Sequence, residues 1–267
     1  MLKDITLGQY FPGESVIHKA DPRVKIILTF LLMIAIFIID TYMGFLIMAL
    51  FTALIVIVSD VPVKYTLKGL KPVLFIAVFA AVINIFFVRE GTPLFDYGFI
   101  HITYEGLDRT VKTTIRLTLL IVVASILTLT TTPILLTDGI EKLMKPLSIV
   151  GVPAHEIAMM MTIALRFIPT LLEETDKIMK AQAARGADFD TGNIVQRAKS
   201  FIPVLVPLFV SAFRRADELA TAMEARCYRG GEGRTRMRQL TLTVSDLYLC
   251  VAAALVIGFI VYLQYFI

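Results

Sequence analysis

The chain has 267 residues, of which 57% are hydrophobic and only 18% are charged. Soluble globular domains average about half apolar and about a quarter charged residues, so this composition is that of an integral membrane protein. The two cysteines are too few and too far apart for a disulfide framework, and the three histidines include no His-Glu-x-x-His pair. Small disulfide-stabilised folds and helical zinc sites are therefore excluded.

Five segments qualify, fully or nearly, as membrane-spanning helices. About 20 apolar residues cross roughly 30 Å of hydrocarbon, and fewer suffice where flanking cations reach the headgroups. Asp21 and Pro22 predict the start of the first helix, as an N-cap followed by proline at the first helical position. Arg23 and Lys25 are expected to reach the headgroups. The predicted spans are 24–39, 42–59, 72–88, 117–132 and 247–267.

Two smaller features accompany these spans. The alternating sequence from Phe99 to Tyr104, between glycines and a proline, predicts a short hairpin lying on the membrane surface. The threonines of the fourth span are expected to donate their hydroxyl hydrogen bonds to the preceding helical turn. Those threonines are Thr118, Thr128, Thr130, Thr131 and Thr132.

Lysines and arginines predict the orientation, because cytoplasmic loops carry an excess of these residues. Fifteen of the 26 lie between residues 133 and 239, whereas the turn between the first two spans has none. Five spans with a cytoplasmic N-terminus satisfy this bias. The expected organisation is all-α: residues 1–132 hold four spans, 133–243 form a cytoplasmic region of amphipathic coupling helices, and 244–267 form the last span.

Two further apolar runs, 157–172 and 201–213, fall inside the predicted cytoplasmic region. As helices they would be only about 24 Å and about 20 Å long, which is short of the hydrocarbon thickness. Arg166, near the middle of the first run, would add about 3 kcal/mol to the cost of insertion. We therefore expect both runs to lie along the interface or against other protein.

Each run continues into a charged helix and ends in a tripeptide with a central arginine, which makes a weak repeat of about forty residues. One interpretation is a plain helix end, with glycine in the left-handed conformation and arginine at the negative end of the dipole. The other is that both helices end on the same side and offer guanidinium tips to acidic grooves of a partner. The repetition favours the second. The residues concerned are Ala184, Arg185 and Gly186, and Ala225, Arg226 and Cys227.

The sequence offers no site for enzymatic chemistry. It contains no G-x-x-x-x-G-K-[ST] loop, no nucleophile elbow and no paired metal ligands, so no catalytic residue, cofactor site or metal site is expected. His155 and Glu156 indicate only the first turn of a helix, with Glu156 favoured by the dipole. The cluster from Met159 to Met161 fits a packed core and an adaptable binding surface equally well.

The segments AQAARGADFD and AMEARCYRGGEGRTR, each after an amphipathic helix, resemble the transmembrane T component of energy-coupling factor (ECF) transporters and its cobalt-importer relatives. SVIHKADPRVKI and FIHITYEGLDR are also similar to family segments, so the resemblance covers almost the whole chain. It implies a multi-pass subunit of the bacterial inner membrane that serves the uptake of vitamins or other micronutrients. Its implied partners are two ABC-type ATPase subunits, a membrane-embedded substrate-binding S component and the lipid bilayer, with no nucleic acid.

The resemblance also implies residue roles. The motif around Arg185 docks in a groove of one ATPase and the motif around Arg226 in a groove of the other, while the apolar helix faces cradle the S component. Cys227 stands where glycine is usual, and since its Cβ resists the left-handed conformation, this helix is expected to run on toward Gly230. The implied S-component contacts are Met159, Met160, Ile163, Phe167, Leu205 and Phe209.

Three other function classes compete with this interpretation. A conventional importer permease would need polar residues along its spans, and these are scarce. A membrane enzyme acting on lipid would need a carboxylate or metal cluster at the surface. Its loose candidates are Asp188, Asp190, Asp217 and Glu218. A scaffold without a transport role would be separated from a transporter subunit by transport assays in a reconstituted complex.

Overall fold

A computed structural model describes residues 10–87, 93–97, 100–189, 193–231 and 239–266 of the chain. This described part contains eleven α-helices and one two-stranded hairpin. The helices are α1 (Val16–Lys19), α2 (Pro22–Ile38), α3 (Tyr42–Val58), α4 (Val63–Lys68), α5 (Lys71–Phe87), α6 (Tyr104–Thr130), α7 (Pro133–Met144), α8 (Ala154–Ala184), α9 (Ile194–Ser200), α10 (Ile202–Ala225) and α11 (Val244–Phe266). The strands are β1 (Pro93–Tyr97) and β2 (Ile100–Thr103), and a 3₁₀ helix, Lys145–Val150, follows α7.

The described residues form two compact units. The first lies within residues 8–139 and 239–267 and contains α1 to α6, the hairpin and α11. The second lies within residues 140–238 and contains α8, α9 and α10. The second unit falls inside the predicted 133–243 region, and the cytoplasmic location of that region stays a prediction.

In the first unit, α2, α3, α6 and α11 pack against one another around an apolar core. Ile36, Ile39, Met48 and Ile260 form its centre and are almost completely buried. The outward faces are apolar too, and Phe30 on α2 leaves 61% of its surface exposed. Helices that are apolar all round are those of a large core or of a membrane span, and apolar outer faces such as these are typical of helices in a bilayer.

Each predicted span coincides with a helix, namely α2, α3, α5, α6 and α11. By length and composition alone, three described helices are long and apolar enough to cross a membrane: α6, α8 and Val244–Tyr265 within α11. Tyr42–Val58 is a shorter apolar helix. The 17 residues of α2 and of α5 extend about 26 Å each. The chain is thus a helical membrane protein, and the number of five spans stays a prediction.

Both additional apolar runs continue into longer helices, as the sequence predicts. The first lies inside α8, an unbroken helix of 31 residues that is about 46 Å long. The second lies inside α10, whose 24 residues extend about 36 Å. Length therefore does not argue against a membrane crossing by α8. What argues against it is charge, because Arg166 is followed within the same helix by Glu173, Glu174 and Asp176.

The hairpin prediction is confirmed for the backbone. β1 and β2 pair antiparallel, with Asp96 opposite His101 and Tyr97 opposite Ile100. Phe99, within the predicted hairpin, lies outside the described residues. The position of the hairpin on a membrane surface stays a prediction.

The predicted start of α2 is confirmed. Asp21 is the N-cap, its carboxylate accepts from the Arg23 backbone N–H at 2.8 Å, and Pro22 occupies the first turn. The carboxylate also accepts from the Arg23 guanidinium at 2.7 Å, and the Asp21 backbone N–H donates to Asp246 at 2.8 Å. Burial alone would raise the pKa of Asp21, but the hydrogen bonds and charge of Arg23 hold that pKa below its usual range. This network ties the start of α2 to the start of α11.

The expectation that Lys25 reaches the headgroups was wrong. Its side chain is buried, and its ammonium donates to the carbonyls of His18 and Thr130 at 3.1 Å each and to the Thr131 hydroxyl at 3.3 Å. His18 and Thr130 lie at the ends of α1 and α6, where carbonyls lack helical partners and carry the negative end of the dipole. Lys25 therefore caps two helices instead of facing lipid.

The threonine prediction is confirmed at three positions of α6. Thr118, Thr128 and Thr130 donate to carbonyls three or four residues earlier, at 2.8, 3.0 and 2.7 Å. Thr131 and Thr132 depart from this pattern because they follow the helix. The Thr131 hydroxyl accepts from Lys25, and the Thr132 hydroxyl accepts from the backbone N–H of Leu135 in the first turn of α7.

Candidate functional site

The two arginine tripeptides lie at the C-termini of α8 and α10, the two long helices of the second unit. Each helix contains an internal proline, Pro169 in α8 and Pro207 in α10, and continues through it without a break. Both are apolar in the first half and charged in the second, as the repeat predicts. The last turns carry alanines with strong helix propensity, which keep each helix intact up to its arginine.

The two helices are joined near the middle by a group of polar side chains. Glu174 of α8 accepts from the Ser211 hydroxyl of α10 at 2.5 Å and from the Arg215 guanidinium at 2.7 Å. Toward the end of α8, the Gln182 amide donates to the carbonyl of Pro203, at the start of α10, at 3.4 Å. A later residue of α8 therefore contacts an earlier residue of α10, which means that the two helices run antiparallel.

This arrangement corrects one part of the sequence interpretation. The two helices were expected to end on the same side, but they end on opposite sides of the pair. Arg185 lies near the start of α10, and Arg226 lies near the start of α8. The 23 residues from Pro203 to Arg226 extend roughly 35 Å along α10. The two tips are therefore separate sites at the two ends of one antiparallel pair.

The first tip is a helix end of the Schellman type. The Gly186 N–H donates to the Ala183 carbonyl at 2.9 Å, and the Ala187 N–H donates to the Gln182 carbonyl at 3.0 Å. Gly186 has φ +90°, the left-handed conformation that glycine adopts without steric cost. The interpretation of this tripeptide as a helix cap is confirmed, and Arg185 is the C-cap residue directly after the last helical residue, Ala184.

The second tip has the same hydrogen bonds despite its cysteine. The Cys227 N–H donates to the Glu224 carbonyl at 2.8 Å, and the Tyr228 N–H donates to the Met223 carbonyl at 3.0 Å. Cys227 adopts φ +54°, and α10 ends at Ala225. The expectation that this helix runs on toward Gly230 was therefore wrong. The two capping hydrogen bonds outweigh the left-handed penalty of a Cβ, which is about 1–2 kcal/mol.

Both tips face solvent. All six tripeptide residues are exposed, and neither arginine side chain has an ion pair or hydrogen bond to another residue within the described ranges. A planar guanidinium in this position can form two parallel hydrogen bonds to a carboxylate, which makes it suited to an acidic groove. The tripeptide residues are Ala184, Arg185, Gly186, Ala225, Arg226 and Cys227.

The apolar halves of α8 and α10 also carry exposed side chains. Among the six residues expected to contact an S component, Met160, Leu205 and Phe209 leave 60%, 46% and 60% of their surface exposed. The other three, Met159, Ile163 and Phe167, are partly buried. Within the methionine cluster, Met160 and Met161 are exposed, which favours the surface interpretation for those two residues.

Sequence reasoning missed the residues that hold the two helices together. Glu174 precedes Arg185 by eleven residues, and Arg215 precedes Arg226 by the same number, so the ion pair joins equivalent positions of the repeat. Alignment of the two repeats on their arginines would have revealed this relationship. His155 was also underestimated: it does lie in the first turn of α8, but its ring contacts Glu141 and Tyr228 as well.

The candidates for lipid chemistry do not gather into a site. Asp217 and Glu218 are exposed on α10, Asp188 is exposed after the first tip, and Asp190 lies outside the described residues. Searched over its described part, the chain has no group of three or more His, Cys, Asp or Glu side chains placed to hold a metal ion.

Comparison with known proteins gives a consistent result. The family model described as CbiQ, cobalt transport protein, matches residues 13–237. A Ruminiclostridium cellulolyticum protein named energy-coupling factor transporter transmembrane protein EcfT is 63% identical over 265 residues, covering 99% of each chain. Proteins of the same name from Thermosediminibacter oceani and Bacillus subtilis are 57% and 45% identical, over 95% and 99% of this chain and 96% and 100% of theirs. The chain therefore belongs to the EcfT/CbiQ family, the transmembrane transport proteins of ECF transporters.

Proposed function

We propose that this chain is the coupling subunit of an ECF-type ABC importer, linking two cytoplasmic ATPases to a membrane-embedded S component for the uptake of a vitamin or another micronutrient. The observation that carries the proposal is the pair of exposed arginine tips, Arg185 and Arg226, at opposite ends of one antiparallel helix pair. Two separate, equivalent tips suit two ATPase subunits, one for each tip.

Docking at each tip follows from its chemistry. A helix C-terminus is the negative end of the dipole, so the arginine there is stabilised in place while its outer N–H groups stay available. An acidic groove on an ATPase would accept these N–H groups bidentately, and the small neighbours Ala184 and Ala225 would let the groove close around the helix end. Desolvated charge pairs of this kind are worth about 2–5 kcal/mol when one partner is truncated.

Transmission of force rests on the Glu174–Arg215 ion pair. Because it joins the two helices near the middle, a movement of one tip relative to the other has to change the angle at which α8 and α10 cross. The exposed apolar residues Met160, Leu205 and Phe209 lie on these same helices, so that the change of angle displaces the surface on which an S component rests. ATP-driven movement of the two ATPases would thus reach the membrane without a translocation path through this chain.

The proposed topology places the chain in the bacterial inner membrane with five spans. α2, α3, α5, α6 and α11 cross, and α8 to α10 stay on the cytoplasmic side, supported by the fifteen lysines and arginines of residues 133–239. Exposed Cys227 offers a test. With Cys250 replaced by serine and the chain expressed without the ATPases that would cover the tip, an impermeant maleimide should label Cys227 in inverted vesicles and not in intact cells. Labelling from outside would contradict this topology.

The decisive experiment is charge reversal at the two tips. Arg185→Glu and Arg226→Glu should each weaken co-purification of the ATPases with the tagged chain, and the double variant should lose both ATPases. Matched controls are Arg166→Glu in α8 and Arg214→Glu in α10, which change exposed arginines away from the tips and should retain both ATPases. Assembly and transport by the double variant would overturn the docking role.

Contact with the S component has its own test. Phe209→Asp places a charge on the exposed apolar face of α10 without touching either tip. The variant should lose the S component on purification and keep both ATPases. Retention of the S component would show that this face is not the contact surface.

A further inference from the structure

Beyond the exposed arginines, the second unit contains a cluster around His155, in the first turn of α8. Its ring Nδ1 lies 3.1 Å from a carboxylate oxygen of Glu141, in α7, and its Nε2 lies 3.4 Å from the hydroxyl of Tyr228. One neutral tautomer satisfies all three groups: Nδ1–H donates to Glu141, and Nε2 accepts from the Tyr228 hydroxyl. Glu141 thereby fixes the orientation of the ring.

The same ring also lies against the backbone after Tyr228. A Cβ added at Gly231 would meet the His155 ring carbons at 2.4 and 2.6 Å, closer than side chains can approach. Gly231 thus provides the space in which the chain passes over the ring. His155 contacts this segment twice, through a hydrogen bond at Tyr228 and through close packing at Gly231.

Arg226 lies two residues before Tyr228, the first residue of the segment that His155 contacts. Its tripeptide lacks the glycine of the first tip and keeps its cap with Cys227 at φ +54°. The left-handed penalty at Cys227 leaves this cap a smaller margin than the glycine cap of the first tip, so further contacts help to keep it in a single conformation. His155 supplies them from the opposite helix of the pair.

We propose that His155 is a positioning residue for Arg226, holding the second tip against the start of α8 in the orientation that docks. The inference rests on the proposed ATPase docking, because positioning matters only where the tip binds a partner. Without this contact the segment after α10 would order only on binding, and ordering a segment at that moment costs affinity. We expect about a tenfold loss of ATPase affinity in His155→Ala.

Tip mobility can be measured without any ATPase. In the full chain with Cys250→Ser, a nitroxide on Cys227 reports the second tip, because Cys227 is exposed and adjoins Arg226. His155→Ala and Gly231→Ala should each raise the mobility of this label severalfold, by different routes. His155→Gln, whose side-chain amide offers a donor and an acceptor in place of the two ring nitrogens, should restore the restrained spectrum in part. Spectra that are unchanged in both variants would overturn the proposal.

Two controls separate this inference from the proposed function. A label on the first tip, introduced by Ala184→Cys in a chain with both native cysteines replaced, should not respond to His155→Ala. Gly258→Ala, at a helical glycine with open space around it, should leave the Cys227 label restrained. If the label is freed but ATPase affinity is unchanged, positioning is refuted. If the Arg226→Glu variant still binds both ATPases as tightly as the parent, the proposed docking of the second tip is refuted. The effect of His155 on the mobility of that tip would still be established by the label spectra.

Discussion

Glu174 of α8 and Arg215 of α10 form an ion pair of 2.7 Å between positions that each precede an arginine tip by eleven residues. Equivalent positions of a repeat meet where two copies pack around a local two-fold axis. The repeat thus appears in three dimensions as an approximately two-fold helix pair, with one tip at each end. Both partners are partly buried, so the pair is less screened by solvent than an ordinary surface ion pair.

The Glu174–Arg215 pair should contribute measurably to the stability of the helix pair. A double-mutant cycle with Glu174→Gln and Arg215→Gln should give a coupling energy of about 1 kcal/mol in thermal unfolding followed by circular dichroism. The control is the exposed pair Asp176 and Lys180, four residues apart on α8, for which about 0.3–0.5 kcal/mol is expected. Equal coupling in the two cycles would refute a special role for the crossing pair.

Glycine at the second tip should stabilise the protein. Cys227→Gly relieves a left-handed conformation at a residue with a Cβ, and this gain exceeds the added flexibility of the unfolded chain, so we expect a net gain of about 0.5–1 kcal/mol. The mirror substitution Gly186→Ala should cost about 1 kcal/mol, because open space surrounds that position and only its φ of +90° opposes a side chain. Chemical denaturation measures both. A destabilising Cys227→Gly would contradict the strain argument.

Replacement of Lys25 should be costly although it removes a buried charge. Lys25→Met would leave the carbonyls of His18 and Thr130 without their donor, which costs about 1–3 kcal/mol. Lys19→Met is the control, because Lys19 is exposed and its contact with Glu14 is 3.5 Å long, and its effect should stay within about 0.5 kcal/mol. Thermal unfolding in detergent compares them. Equal stability of the two variants would mean that Lys25 caps neither helix.

Asp21 should make stability depend on acidic pH. Its folded pKa is lowered, so its stabilising contribution is fully present above the unfolded value, about 3.9, and is lost as pH falls through the lower folded value. Asp21→Asn keeps an N-cap acceptor but removes the charge that faces Arg23. Below about pH 4 the melting temperature of the variant should therefore fall less steeply with pH than that of the parent. Parallel curves would refute this contribution.

The features that were predicted correctly are those that depend on residues close together in the sequence. Asp21 and Pro22 start α2 because a side-chain acceptor and a fixed φ act within one helical turn. Gly186 ends α8 for the same kind of reason, since its left-handed φ depends on its own missing Cβ. The apolar segments of the five predicted spans became helices because their composition is apolar over 16 residues or more, which needs no knowledge of distant partners.

One failure involves a residue whose environment is set by distant parts of the chain, and the other involves a residue whose intrinsic preference was outweighed by hydrogen bonds within one turn. Lys25 was expected at the headgroups, but the ends of α1 and α6 bring three acceptors to it, one of them 105 residues away. Cys227 was expected to let α10 continue toward Gly230. Instead, the N–H groups of Cys227 and Tyr228 donate to carbonyls of the preceding turn, and these hydrogen bonds end the helix. In both cases hydrogen bonds outweighed a sound local preference.

The sequence by itself determined that this is a helical membrane protein with two repeated arginine tips. Hydrophobicity, helix propensity and the repeat depend on residues that are close together in the sequence, so they can be recognised without the fold. Only the tertiary structure decided that the helices bearing those tips run antiparallel, with Arg185 and Arg226 at opposite ends and Glu174 bound to Arg215 between them. The relative direction of two helices depends on which faces pack and which charges meet across 41 residues of chain. The direction is decided by the energy of contacts between the two helices, and this energy cannot be inferred from the sequence of either segment alone.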